Sequence, residues 1–527
     1  MMWRLVIAFA ALSGPLPKAG VIVVALLAAL VLLTPDRRAC AVSMPAALVV
    51  ASVLLLADIW DSPRLGVVHR HPLEAVVGAV LAVGVLIAAA AVLARRPRLV
   101  APLAVLALPF RVPIKAGGTT SNLLVPLYLV VAVGALASAF AAWRAPRPDA
   151  PEPGQRPRWV PPAGATDLVG WAERLLALYV VLYAVQATYS PDFVKALQNM
   201  VFFYVPFALL YRLLRDLPWT SRALRTCLRV TVVLAVIFSI VGFYEYATKT
   251  ILLNPKLVVQ NDQHTYFTVN SFFFDPDIFG RYLAVGMILL AVGLIYNRPR
   301  REQSTVSVVL AILWACLVLT LSRSSLGALL VGMAVLAALR WKPSRALVVA
   351  VAVVAIGAVA IVASPRTFGL NQGLNGASSG RGGLVSGGLS LFADRPVWGF
   401  GSGSFSTEYV RHHRHTVSAL SDSHTIPITI AAEQGLIGEI AYLALVLVAI
   451  AALVRGARGD PVRSAVAAAF VALMFHTLLY ADFLEDPTTW VLLAIGLALA
   501  RAPGGVPALS DEEPAVSPVM ARAVARS

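Results

Sequence analysis

Residues Leu73 to Ala94 read LEAVVGAVLAVGVLIAAAAVLA, a run with a single carboxylate that is long enough to carry a helix across about 30 Å of hydrocarbon. Comparable runs recur along the chain, at Leu123 to Trp143, Leu228 to Tyr246, Ala346 to Ala363 and Ile437 to Val454. Hydrophobic residues make up 59% of the 527 residues and charged residues 13%, where a soluble domain carries about 25% charged residues. The pattern predicts an all-α, polytopic helical membrane protein with roughly 12–16 transmembrane helices. Three pieces, Leu5 to Leu12, Leu99 to Phe110 and Val491 to Ala500, are short for a full span. Arg4 and the run after it have the outline of a signal peptide, but no A-x-A site follows and Val21 to Leu33 continues the apolar pattern. An uncleaved membrane segment is therefore expected.

The net charge of +16 points to orientation, not to nucleic acid. The basic residues gather in alternate short connections: Arg95, Arg96 and Arg98; Arg144 and Arg147; Arg212 to Arg229; Arg298, Arg300 and Arg301; Arg340, Lys342 and Arg345; Arg455, Arg458 and Arg463. Such alternation is the positive-inside pattern, and it also suits anionic headgroups. It assigns these connections to the cytoplasmic side of a multi-pass cell-membrane protein. The segment Lys249 to Asp275, the turn at Ser322 to Ser325, the long connection 364–425 and Asp482 to Asp486 then lie on the extracytoplasmic side. Cys40, Cys227 and Cys316 form no C-x-x-C and no extracytoplasmic pair, so neither a disulfide framework nor a zinc ribbon is expected.

Composition divides the chain. Residues 1–143 hold membrane helices without a motif, and 144–167 include the Pro-rich stretch APRPDAPEPGQRPRWVPPAGAT, which reads as an extended cytoplasmic linker. Residues 168–500 carry the motifs, and 501–527 read as a disordered tail. The connection 364–425 is far longer than an ordinary loop and holds four of the eight His.

Four polar constellations stand out, because ionisable residues at membrane depth are costly and mark function by default. In Phe273-Phe-Asp-Pro-Asp-Ile-Phe-Gly280-Arg281, the Asp-Pro-Asp suits a helix N-terminus. Asp275 and Asp277 either cap that helix, or one of them orients an Arg or binds a sugar hydroxyl. In Leu319-Thr-Leu-Ser-Arg323-Ser-Ser, a guanidinium flanked by hydroxyls can grip a phosphate bidentately or snorkel to headgroups. Arg381, within Gly380-Arg-Gly-Gly, precedes a short amphipathic helix ending at Asp394-Arg395-Pro396 and a Gly-rich turn. That turn lacks the buried strand and cytoplasmic setting of a nucleotide loop. In Ser423-His424 the imidazole titrates near neutrality and can serve as a base, and Glu433 follows in Glu-x-Gly-x-x-Gly438. The cluster Arg411-His412-His413-Arg414-His415 could ligate a transition metal, but its two Arg disfavour a cation and suit a solvated or anion-facing role. No metal and no cofactor is expected.

The ordered set carried by Phe273 to Gly280, Leu319 to Arg323, Gly380 to Arg381, Asp394 to Phe405 and Ser423 to Gly438 resembles the O-antigen ligase and O-antigen polymerase superfamily. The resemblance covers roughly residues 168–500; Asp-Pro-Asp stands where that family usually has Asp-Pro-Asn. It implies a C-type membrane glycosyltransferase. Such an enzyme moves a glycan from a polyprenyl diphosphate carrier to an acceptor hydroxyl, with inversion and without a metal. His424 is then the base and Arg323 and Arg381 the cations for the leaving diphosphate, with Asp275, Asp277, Arg281, Arg395 and Glu433 around the substrates. The acceptor, whether glycan, lipid or protein, is left open. So are two rival readings: a transporter or flippase of lipid-linked glycans, and a non-catalytic envelope scaffold.

Overall fold

The computed structural model describes residues 14–60, 66–116, 119–144, 167–254, 257–258, 261, 266–296, 299–341, 344–345, 348, 381–413 and 423–501. Apart from residue 348, the expected span at 346–363 lies outside these residues, as do 145–166 of the linker and 502–527 of the tail.

The described chain is helical apart from one antiparallel hairpin, β1 (Val112–Ala116) paired with β2 (Thr119–Leu123), Val112 opposite Leu123. Among the described residues, eleven helices are long and apolar enough to cross a membrane. They are α1 (Pro15–Leu33), α2 (Arg37–Ile59), α4 (Pro72–Arg95), α6 (Val125–Arg144), α7 (Leu168–Ala187), the composite Phe193–Arg215, α10 (Ser221–Thr248), α11 (Pro276–Ile295), α12 (Arg300–Leu319), α13 (Arg323–Arg340) and α16 (Ile426–Val454). The composite consists of α8 (Phe193–Asn199), a π-helical turn and α9 (Val205–Arg215). The pieces read as short spans at Leu99 to Phe110 and Val491 to Ala500 correspond to the shorter helices α5 (Val100–Ala107) and α18 (Pro487–Arg501), and α17 (Pro461–Thr477) is also short. One turn, α3 (Gly66–Arg70), and two loop helices, α14 (Arg381–Asp394) and α15 (Phe405–His412), complete the set. The protein is a polytopic, all-α membrane protein.

Local chemistry sets the helix starts. Pro occupies the first turn of α4, α11 and α17, where a missing N–H costs nothing. Asp275, Ser322 and Asp460 cap α11, α13 and α17 through their side-chain oxygens. On α4 nearly every Val and Leu faces outward, for example Leu73, Val76, Val80 and Val85. In water such a face would be a liability; in lipid it is a solvated surface.

α1 lies against α2, α7 and α9, so the first helices share one bundle with the motif-bearing helices. A buried guanidinium fastens them: Arg212 Nη1 donates to the carbonyls of Val31 (3.1 Å) and Thr34 while Nε pairs with Asp216 at 2.7 Å. Around α11 pack α12, α13 and α17, and α16 lies against both α7 and α17. The starts of α11, α13, α16 and α18 and the end of α17 therefore meet at one end of the bundle, which also bears the loop helices.

α16 is broken one-third along. Gly435 adopts φ +65°, ψ −164°, and a side chain there would collide with the backbone of Val397 and Gly399. The break frees carbonyls, and the loop uses them. Phe400 N–H donates to Ala432 O (3.1 Å) and Gly401 N–H to Glu433 O (2.7 Å), while Leu436 N–H donates to Pro396 O (2.7 Å). Irregular backbone among membrane helices is tolerated where protein satisfies it, and here the loop segment 396–401 does so. Gln186 of α7 adds its Nε2, 3.0 Å from Gln434 O.

Candidate functional site at the loop-bearing end

Asp277, in the first turn of α11, faces the turn before α13. Its Oδ1 accepts from the hydroxyls of Ser322 and Ser324 (3.0 Å), and its carbonyl accepts from Ser325 Oγ at 3.1 Å. The fully buried His476, at the end of α17, places Nε2 at 3.2 Å from Ser324 Oγ and 3.3 Å from Ser325 Oγ. The Leu-Ser-Arg-Ser-Ser motif is thus a hydroxyl cluster held between a carboxylate and an imidazole. Gly280 is small because Ser325 fills the space its side chain would take.

Asp275 caps α11 by accepting Asp277 N–H at 2.7 Å. Burial, then the neighbouring Asp277 charge, pushes its carboxyl from 3.8 up to about 6. The Tyr480 hydroxyl faces it, and burial together with that carboxylate holds the phenol well above its ordinary value. Tyr480 also lies between two imidazoles, its ring centroid 5.8 Å from that of His424 and 5.5 Å from that of His476. One turn further into α11, Arg281 is 4% exposed; its Nη2 lies 3.2 Å from Asp486 Oδ2 and 3.7 Å from Asp482 Oδ2, and Nη1 has no hydrogen-bond partner among the described residues.

His424 is partly exposed at the entrance to α16, with φ +58°. Leu321 (φ +53°), Ser271 (φ +51°) and Asp482 (φ +78°) share this left-handed backbone at the same end. Among non-glycine residues it is costly and gathers where the surroundings hold a site in shape.

The structure therefore unites His424, Asp275, Asp277 and Arg281 through residues that motif reading passed over: His476, Tyr480 and the pair Asp482 and Asp486. Arg323 is the exposed first residue of α13, next to the hydroxyl cluster. Arg381 opens α14, which packs on α16. Arg395 stands apart at the surface, its guanidinium 4.6 Å over the Phe400 ring. Glu433 is engaged by the loop itself: its carboxylate accepts Gly403 N–H (2.8 Å) and Phe405 N–H (3.0 Å). In the His-rich cluster, His412 Nδ1 lies 2.8 Å from Glu408 O and His413 stacks on Tyr409 at 4.4 Å; His415 lies outside the described residues. The signal that could have found His476 was its place in an otherwise apolar helix.

The protein is thus a polytopic helical membrane protein that gathers hydroxyls, carboxylates, imidazoles and guanidiniums at one end, beside a loop stitched into a broken helix. Residues 306–443 match the family model described as O-antigen ligase, the family that the ordered motifs resemble. The match covers about a quarter of the chain and includes Arg323, Arg381, His424 and Glu433, whereas Asp275, Arg281, His476 and Tyr480 lie outside it. No curated protein matches the chain.

Proposed function

We propose that this protein transfers a glycan from a polyprenyl diphosphate carrier to an acceptor hydroxyl of an envelope polysaccharide pathway. The transfer takes place at the extracytoplasmic face of the cytoplasmic membrane. The observation that carries the reading is the meeting of His424, the Asp277 and Ser322–Ser325 cluster and Arg323 at one bundle end, within and beside the O-antigen ligase match. The arginine-rich connections lie at the opposite end, which supports placing the site outside.

The donor suits that location. Each buried methylene contributes about 0.8 kcal/mol to membrane residence, so a polyprenyl tail stays in the bilayer and the reaction comes to it. Departure of a diphosphate requires fixed positive charge more than a proton. Arg323 at the helix rim and Arg381 at the start of α14 supply guanidiniums for the developing charge, which makes a metal unnecessary in this scheme. The acceptor hydroxyl loses its proton to His424, a contribution of about 10² to 10⁴ in rate for a placed base. Attack opposite the leaving group in a single displacement inverts the anomeric centre. Asp275, Asp277 and Arg281 shape the floor beneath the sugar. Glu433 and Arg395 hold the loop over it.

The test uses purified full-length protein, a polyprenyl diphosphate oligosaccharide and a glycan acceptor, with release of polyprenyl diphosphate as the readout. His424→Ala and Arg323→Ala should each lower release by about 10² to 10⁴ while thermal unfolding stays near wild type. Undiminished release in both variants would remove the catalytic assignment. Translocation of the lipid-linked glycan without transfer would favour the transporter reading.

A further inference from the structure

A cavity opens along α11, from beneath the proposed reaction centre to the arginine-rich end. It has a volume of about 1370 Å³ and runs beside α11 from Arg281 to Tyr296, roughly 22 Å at 1.5 Å per residue. Its walls come from α5, α10, α11, α17 and α18, with side chains such as Leu228, Leu289, Val292, Val466 and Ile495. At the arginine-rich end the lining changes character. Arg225, Arg229, Arg301 and Arg463 converge there from three separate helices.

Two carboxylates share this mouth, Glu302 and Asp460. The Asp460 Oδ1 is occupied by the amides of Val462 (2.9 Å) and Arg463 (3.0 Å), as the cap of α17. Four guanidiniums against two carboxylates leave a net positive mouth. An apolar slot of bilayer depth with a cationic rim at the level of one leaflet matches an amphiphile with an anionic head and a hydrocarbon tail. A soluble anion has no use for the slot, and a neutral lipid none for the rim.

We propose that this cavity is a binding site for an anionic phospholipid of the inner leaflet. The phosphate sits among Arg225, Arg229, Arg301 and Arg463, and an acyl chain lies along α11 toward Arg281. The proposed phosphate site lies at the end of α11 opposite the proposed glycan-transfer centre, and the slot reaches that centre's floor at Arg281; lipid binding is read without any transfer assay, so its failure and that of the transfer reading are distinguishable. Juxtamembrane Arg and Lys attract such headgroups, and the guanidinium geometry favours phosphate oxygens.

The experiment measures thermal unfolding of the purified full chain in neutral detergent with added phosphatidylglycerol, phosphatidylcholine of the same acyl chains, or inorganic phosphate. Bound lipid is counted in parallel by native mass spectrometry. Phosphatidylglycerol should raise the midpoint and appear as a retained adduct, whereas the other two should do neither. The double variant Arg225→Gln/Arg229→Gln should weaken the apparent affinity by ~10-fold or more. Leu289→Trp, which fills the slot and leaves the rim intact, should abolish the adduct. Equal stabilisation by phosphatidylcholine, the same shift with inorganic phosphate, or an undiminished adduct in Leu289→Trp would each overturn the proposal.

Discussion

The carboxylate of Glu433 on α16 receives two backbone N–H groups of the loop, from Gly403 at 2.8 Å and Phe405 at 3.0 Å. It thereby fixes the start of α15 against the break in α16. A buried acceptor of two amides is expensive to remove, about 1–3 kcal/mol for each donor left unpaired. Glu433→Ala should lower the unfolding midpoint by several degrees and expose the loop to proteolysis near Gly403. Glu433→Gln, which keeps one acceptor oxygen, should fall between. A loop as protease-resistant in the Ala variant as in wild type would show that the backbone bonds to α16 hold it alone.

Gly435 makes the same joint possible from the other side. Its φ of +65° and the contact of a would-be side chain with Val397 and Gly399 leave no room for a Cβ. Gly435→Ala should therefore reduce the yield of monodisperse protein, with a cost of ~3 kcal/mol or more from strain and lost loop pairing. Gly78→Ala on α4, where a side chain meets nothing within 4 Å, is the matched control and should be neutral.

Asp275 gives the site a pH signature. Its carboxyl titrates at about 6 in the folded protein and at 3.8 ordinarily, so folding favours the protonated form. The contribution to stability is complete below 3.8 and is lost as pH rises through 6. Asp275→Asn stays neutral and remains a competent helix cap. Unfolding midpoints measured from pH 4 to 7 should fall more steeply for wild type than for the Asn variant. Parallel curves would exclude Asp275 as the titrating group.

Arg281 and Asp486 form a buried pair at 3.2 Å. Removing one member leaves a charge stranded at membrane depth, about 3–5 kcal/mol in buried pairs generally. Arg281→Met and Asp486→Leu should each destabilise strongly, and the double variant should be more stable than either single one. Simple additivity of the two losses, measured by denaturant titration in micelles, would mean that the charges do not act as a pair.

Much of this was legible in residue order. Leu73 to Ala94 announces a span because hydrocarbon accepts only an apolar helix of that length, and Asp275-Pro276-Asp277 announces a helix start because caps are local chemistry. The helix after Gly380 and the turn after Pro396 were readable for the same reason. Glu433 was not: a carboxylate among polar motifs reads as a ligand for substrate, and its engagement with Gly403 and Phe405 depends on residues 28 and 30 positions away. Tyr480 carries no local pattern and His476 only its place in an apolar helix; both matter because α17 brings them beside Ser324 and Asp275.

The sequence by itself determined a polytopic helical membrane protein, its helix starts, and an ordered motif set like that of O-antigen ligases. Each follows from side-chain chemistry acting within a turn or across one bilayer thickness. Only the tertiary structure decided which polar groups share a site, how the loop enters the break at Gly435, and that a cationic mouth opens into an apolar slot along α11. Those depend on which helices pack together, and helix packing is fixed by the shape of whole faces that no short stretch of residues specifies.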